Sequence, residues 1–313
     1  MTTYVLRRLV QLVPVLAVVA VALFVLLRVL PGDPTTAILG LEATDEQRAA
    51  LRADLGLDQP LWNQFATWVG GVVRGDLGES WITAEPVGGV IADRLPATVQ
   101  LMVFSLVLAV VIGIPAGVVA AVRQRSGTDS VLTGLSVFGL AIPNFFLAAL
   151  LVLVFAVWWG VLPASGYVAI GDDLVGNLTR MVLPSVTVGS TVVAVAMRQT
   201  RGSLLAALGE DYVRTARATG LSRRRTVVVY ALRNALVPVV TVVALQVGVL
   251  MSATVTTETI FALPGMGTLV VNAIFARDLP LVQGAVLVIV VFVLLVNLVA
   301  DLIYAWLDPR IVY

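Results

Sequence analysis

The chain has no cysteine and no histidine, and all 20 of its basic residues are arginine. Without cysteine there is no disulfide framework, thiolate nucleophile or cysteine-based zinc site. Without histidine the side chain that titrates nearest neutral pH is missing, and with it the commonest metal ligand. Without lysine there is no Schiff base and no G-x-x-x-x-G-K-[ST] loop to cradle a nucleotide phosphate. Charge is scarce as well, at 12% of residues where a soluble domain carries about a quarter. No catalytic residue, metal site or resident cofactor is expected, and no hydrolysis of ATP by this polypeptide alone.

Hydrocarbon makes up the balance. Of 313 residues 59% are hydrophobic, and the mean hydropathy is +1.00. That excludes a disordered chain, a solvated coiled coil and an ordinary soluble enzyme. Crossing a bilayer core takes about 20 apolar residues. Six stretches qualify: about Leu9–Leu30, Pro96–Val122, Val131–Trp159, the shorter Met181–Met197, Asn234–Thr257 and Leu279–Ala300. Each is apolar nearly all round, and Pro143 is expected to kink the third. The first follows Arg7 and Arg8 but is too long for a signal-peptide core, and Pro31-Gly32-Asp33-Pro34 offers no cleavage site, so it reads as a retained anchor helix.

Arginine sets the orientation. Residues 32–95 hold four Arg against ten acids, and residues 198–233 hold eight Arg against two. The second segment is therefore expected inside and the first outside, with both termini cytoplasmic. The outside segment carries helix signals: Thr44 before Glu46 and Gln47, a run from Gln47 to Leu55 stopped by Gly56, and an amphipathic piece from Trp62 to Val73. The aromatics Trp62, Phe65 and Trp68 suit a headgroup layer or a docking surface. In the inside segment Glu210 and Asp211 suit a helix start, and Gly220 a left-handed exit with Leu221 as its apolar follower. Ser222 suits the N-cap of the next helix. Tyr212, Val213 and Ala216 form the apolar side of the short helix. Two readings stay open: a basic amphipathic helix on anionic lipid, or an element that fits a groove on a cytoplasmic protein, in which case Ala216 lies on the face the partner buries.

The run Asp211-Tyr212-Val213-Arg214-Thr215-Ala216-Arg217-Ala218-Thr219-Gly220-Leu221-Ser222 resembles the cytoplasmic loop of permease subunits in the peptide/nickel branch of ABC importers. The resemblance continues through Ala231-Leu232-Arg233-Asn234-Ala235-Leu236-Val237-Pro238 and spans the chain: Pro31-Gly32-Asp33-Pro34, Leu55-Gly56-Leu57-Asp58-Gln59-Pro60, Gly75-Asp76-Leu77-Gly78, Leu95-Pro96-Ala97-Thr98, Leu263-Pro264-Gly265-Met266-Gly267 and Leu307-Asp308-Pro309-Arg310. The general importer loop opens Glu-Ala-Ala with Gly four residues after the second Ala. Here those positions are Arg214, Thr215 and Ala216, so a Glu-specific contact at Arg214 is not expected.

The resemblance implies an all-α membrane protein of six transmembrane helices with the type I importer permease fold. It divides as an N-terminal helix (1–31), a mainly helical extracytoplasmic segment (32–95) and a five-helix core (96–313) whose coupling loop is 198–233. It also implies an ATPase-docking coupling helix made of Asp211, Tyr212, Val213, Arg214, Thr215, Ala216, Arg217 and Ala218, with Gly220 and Leu221 closing it. The implied partners are a second homologous permease, two ATPase domains that bind ATP and Mg, an extracytoplasmic peptide-binding protein and membrane lipid, with no nucleic acid. The implied location is a bacterial plasma membrane and the implied solutes are dipeptides or oligopeptides, with nickel chelates or oligosaccharides as alternatives. Polar residues within spans are costly against lipid, so Asn144, Gln246, Glu258 and Asn297 are candidate pathway positions. Gly248 and Ser252, small residues four apart, are expected to allow a close helix contact. An ion-coupled carrier or membrane enzyme would want ionisable groups inside the spans, where only Arg28 stands, near an end.

Overall fold

The computed structural model describes residues 2–29, 33–40 and 42–307, so Pro31-Gly32 and Asp308-Pro309-Arg310 of the quoted runs lie outside the described residues. The described elements are helical, apart from one isolated β-bridge between Glu79 and Pro86. In chain order they are α1 (Thr2–Val29), α2 (Pro34–Leu39), α3 (Asp45–Asp54), α4 (Leu61–Val73), α5 (Val87–Leu108), α6 (Ile114–Val122), α7 (Gly127–Ala141), α8 (Asn144–Leu151), α9 (Leu174–Gly209), α10 (Asp211–Ala218), α11 (Arg223–Arg225), α12 (Leu232–Ile260), α13 (Met266–Ala276) and α14 (Leu279–Leu307). Stretches of π-helix join α5 to α6 and α11 to α12, giving continuous helices Val87–Val122 and Arg223–Ile260. Among the described residues five helices are long and apolar enough to cross a membrane, and α7 with α8, which a further π-helical stretch extends to Trp158, makes a sixth span if the bent pair counts as one.

That pair departs from the expected kink. The chain turns by 107° between α7 and α8. Pro143 disfavours helical backbone at the residue before it, and Ile142 has ψ 125°; Pro143 itself, with ψ 137°, caps α8 from outside the helix. Two successive extended residues turn the path far more sharply than one proline inside a helix would. Pro14, Pro96, Pro184 and Pro238 all sit within continuous helices.

Two compact units divide the described residues. The first runs up to Pro96 and takes in Gly265–Leu294; the second is Ala97–Pro264 with the described residues from Leu295 onward. In the first unit α3 begins with the expected cap: Thr44 Oγ1 accepts from Gln47 N–H at 3.3 Å, and the Gln47 side chain accepts from Thr44 N–H at 3.0 Å. Such a reciprocal box satisfies two N–H groups that helix geometry leaves bare. Phe65 and Trp68 of α4 rest on Phe24 of α1, with ring centroids 5.3 and 6.3 Å away, and Trp62 stays exposed. The core of this unit joins Val87 and Ile91 of α5 to Met266, Leu269 and Val282. Asp278 explains why Gly265–Leu294 groups here. Buried at the start of α14, its carboxylate accepts from Ser80 Oγ, from Trp81 N–H at 3.2 Å and from Leu281 N–H at 3.3 Å, tying the 79–86 turn to that helix end.

The second unit is gathered on α9. The sequence suggests a short span, Met181–Met197, but the helix runs 36 residues. Asp173 caps it, its carboxylate accepting from Gly176 N–H at 2.9 Å, and the helix continues past Arg198 and Arg201, beyond what hydropathy alone marks. Met181, Ser185, Val188, Val192, Ala196, Thr200 and Leu204 are buried at three- and four-residue spacing, along a face packed by its neighbours. The close approach expected at Gly248 is made elsewhere. A Cβ at Gly248 would meet nothing within 4 Å, whereas one at Gly117 would stand 2.5 Å from Met197 O, and one at Gly113 2.8 Å from Val193 O. Two glycines four apart let one backbone lie directly on the other.

This contact sets a test. Alanine is the better helix former at any helical glycine, so Gly202→Ala, facing open space, should leave thermal stability unchanged or slightly raised. Gly117→Ala should lower it by about 1–3 kcal/mol through overpacking. Thermal unfolding of the detergent-purified chain compares them, and equal midpoints would refute the close packing.

Candidate functional site

The loop between α9 and α12 folds as the short helix α10, one residue after α9 ends and four before α11 begins. Its exit is a Schellman motif. Gly220 N–H bonds Arg217 O at 3.1 Å and Leu221 N–H bonds Ala216 O at 3.3 Å, with Gly220 at φ +81°. Ser222 then caps the next helix, its Oγ accepting from Arg225 N–H at 3.4 Å. Thr219 Oγ1 donates to Ala216 O at 2.9 Å, adding to the closure of the last turn.

The two faces of α10 differ. Val213 is buried in an apolar cluster with Ala121 of α6, Leu204 of α9, and Val227, Ala231 and Ala235 of the helix that follows, and Ala216 is buried on the same side of α10. Asp211, Tyr212, Arg214, Thr215, Arg217 and Ala218 are exposed. Ala216, expected on the face a partner would bury, therefore faces the chain's own core, and so does Val213. The reason is amphipathicity at short range: the apolar stripe of an eight-residue helix is taken up by the helices at its two ends. What remains outside is basic, with Arg214 and Arg217 beside Arg223, Arg224 and Arg225. The Asp211–Arg214 pair, at 3.2 Å, is exposed on both sides and contributes little.

Two polar ties fix this platform. Arg223 Nη2 donates to Val122 O at 2.9 Å, covering a bare carbonyl at the end of α6. Arg201 of α9 grips Asp129 of α7 in a two-pronged pair, Nε to Oδ1 at 2.6 Å and Nη2 to Oδ2 at 2.9 Å, while Arg125 N–H donates to Oδ2 at 2.9 Å. Such forked pairs are the strong ones among ion pairs. The sequence offered no signal for this partnership, since 72 residues separate the two side chains.

The pathway candidates lie on three helices, α8, α12 and α14. Asn144, first in α8, is half-buried and accepts from Thr191 Oγ1 of α9 at 3.4 Å. Gln246 and Asn297 are half-buried on α12 and α14. Glu258 is 1% exposed and accepts from Thr98 Oγ1 at 2.6 Å. It shares α12 with Gln246, twelve residues away, roughly 18 Å of helix rise. A second buried polar contact went unread: Asn177 donates to Val168 O at 2.6 Å and to Gln100 Oε1 at 3.1 Å. Among the described residues no cluster of acidic side chains could hold a metal ion.

Comparison with known proteins adds an independent line. Residues 113–313 match the family described as binding-protein-dependent transport system inner membrane component, and residues 1–102 match that family's N-terminal part. The chain is 39% identical to the dipeptide transport system permease protein DppB of Escherichia coli (strain K12), covering 99% of each. It is 40% identical over the full length of both chains to the probable peptide ABC transporter permease protein y4tP of Sinorhizobium fredii (strain NBRC 101917 / NGR234). Among solved structures, an inward-facing form of the MetNI methionine ABC transporter covers 72% of this chain and 100% of its own, at TM-score 0.58 and 16% identity, a likeness of fold.

The inward-facing Ala216 yields a prediction. Ala216→Asp would place an unpaired acid at a buried position and should destabilise the isolated chain by at least about 2 kcal/mol. Gly220→Val should cost about 1–2 kcal/mol through backbone strain at positive φ, much of it recovered by Gly220→Asn. Thermal unfolding of the three purified variants in detergent is the check. An unchanged midpoint for Ala216→Asp would mean that α10 does not pack on the chain.

Proposed function

The chain belongs to the family of binding-protein-dependent transport system inner membrane components, and from that premise we propose that it is the pore-forming permease subunit of an ATP-driven importer carrying dipeptides or oligopeptides into the cytoplasm. ATP hydrolysis belongs to separate subunits, in keeping with the lack of any lysine for a phosphate loop. The full-length likeness to proteins named for peptide transport supports the solute class.

The observation that carries the coupling role is the division of α10 into a face sunk in the chain's core and a basic face left outside. On this reading Tyr212, Arg214, Thr215, Arg217 and Ala218 meet a cleft on an ATPase subunit, while Val213 and Ala216 pass its motion to α6, α9 and α12. Two ATPase domains, a second permease and an extracytoplasmic peptide-binding protein complete the machine. Residues 32–95 face outside and 198–233 inside, both termini are cytoplasmic, and the membrane is a bacterial plasma membrane; the arginine asymmetry supports the orientation.

Two measurements bear on this. Reversing charge on the outward face, Arg214→Glu with Arg217→Glu, should leave abundance and thermal stability of the chain unchanged. It should sharply reduce both co-purification of the ATPase and peptide uptake, and normal values for both would return α10 to a lipid-facing helix. Because the chain has no cysteine, single cysteines report alone. Thr44→Cys should react with an impermeant thiol reagent on intact cells and Thr219→Cys should not; the opposite pattern would invert the topology.

A further inference from the structure

The first unit holds a cavity of about 520 Å³ beside the last turn of α1. Its lining has two chemistries: the charged Arg28, Arg52, Arg277 and Asp33, and the apolar Leu61, Ile274 and Phe275 among others. Arg52 is engaged, with Nη1 on Asp33 Oδ2 at 2.7 Å and Nε 3.4 Å from Asp58. Burial pushes the Asp33 carboxyl up, but the Thr35 N–H and hydroxyl and the Arg52 guanidinium outweigh it and hold that group below the usual carboxylate range. Arg28 has no such counterpart. Its guanidinium carbon lies 5.2 Å from the centroid of the Phe24 ring, its Nε is buried, and among the described residues nothing accepts a hydrogen bond from it. A guanidinium N–H shut from water without an acceptor is costly. This one closes an apolar helix whose residues 10–27 carry no charge. The apolar wall, meanwhile, is open to the surroundings: Phe275 is 83% exposed and Leu61 59%.

A cation lacking an acceptor, at the end of a hydrocarbon-length helix and next to exposed apolar side chains, matches one kind of molecule: a negatively charged group joined directly to an acyl chain. We propose that this cavity binds a phospholipid with an anionic headgroup, its phosphate accepting from Arg28 and its acyl chain lying along Leu61, Ile274 and Phe275. A peptide carboxylate would satisfy Arg28 but would leave the apolar wall bare. The assignment depends on the chain's being a membrane protein and not on which leaflet the end of α1 faces.

The test uses the full-length chain with its co-purifying subunits. It is reconstituted in vesicles of equal phosphatidylglycerol and phosphatidylcholine, re-extracted in mild detergent, and its retained lipids are weighed by native mass spectrometry. Both lipids offer a phosphate, but that of phosphatidylcholine is neutralised by its own choline, so wild type should retain phosphatidylglycerol over phosphatidylcholine by roughly fivefold, the worth of one net charge beside an arginine at a lipid surface. Arg28→Gln should bring the ratio close to one, and Arg28→Lys should keep part of the preference. Millimolar inorganic phosphate or a dipeptide added during extraction should not displace the lipid. An equal ratio in wild type overturns the assignment whatever the variants do. So does an unchanged ratio in Arg28→Gln, displacement by phosphate, which would mark a free-anion site, or displacement by dipeptide, which would mark a carboxylate site.

Discussion

The second unit depends on a backbone-to-backbone contact. In hydrocarbon, helices are not driven together by the hydrophobic effect, so dispersion at close range must hold them. Gly113 and Gly117 remove the side chains that would separate their helix from α9, and on the other helix Val193 and Met197 offer backbone oxygens at a distance no Cβ would fit. Gly189 repeats the device further along, where a Cβ would stand 3.2 Å from the Cα of Ser105. With its neighbours seated this closely, α9 becomes the most buried of the long helices. It carries α10 at its end.

That position decides how the candidate site is made. α10 has too little apolar surface to face both the chain and a partner. Val213 and Ala216 go to the chain, and on the coupling role proposed above a partner would meet Tyr212, Thr215 and arginine. Such a surface relies on charge and shape, which give selectivity and speed of encounter more readily than raw affinity.

The sequence made much of this legible, and the gaps have physical causes. Helix ends with local chemistry were readable: the Thr44 box, the Gly56 and Gly220 exits and the Ser222 cap all depend on residues within a turn of one another. Apolar stretches marked the spans because lipid constrains composition directly. The length of α9 was missed because hydropathy reports where hydrocarbon ends and not where a helix does. The sharpness of the turn at Pro143 was not legible, since one proline permits either a kink or a break and distant packing chooses. The face of Ala216 was misassigned because an eight-residue amphipathic stripe does not say which neighbour it meets. Asp129 with Arg201, and Ser80 with Asp278, depend on partners 72 and 198 residues apart, beyond any local pattern.

The shortness of the chain on either side of α10 has a mechanical side. A single residue, Glu210, separates it from the 36 residues of α9, and a hydrogen-bonded turn separates it from the continuous helix Arg223–Ile260. There is almost no slack to take up. A flexible tether would let a partner's displacement dissipate as a change in loop shape, whereas on the coupling role proposed above so short a yoke would pass it to two long levers. A displacement at the α10 end would then be read out a helix length away, on the scale of roughly 50 Å for α9. The far end would sweep through an arc whose size is set by lever length, not by any side chain along the way.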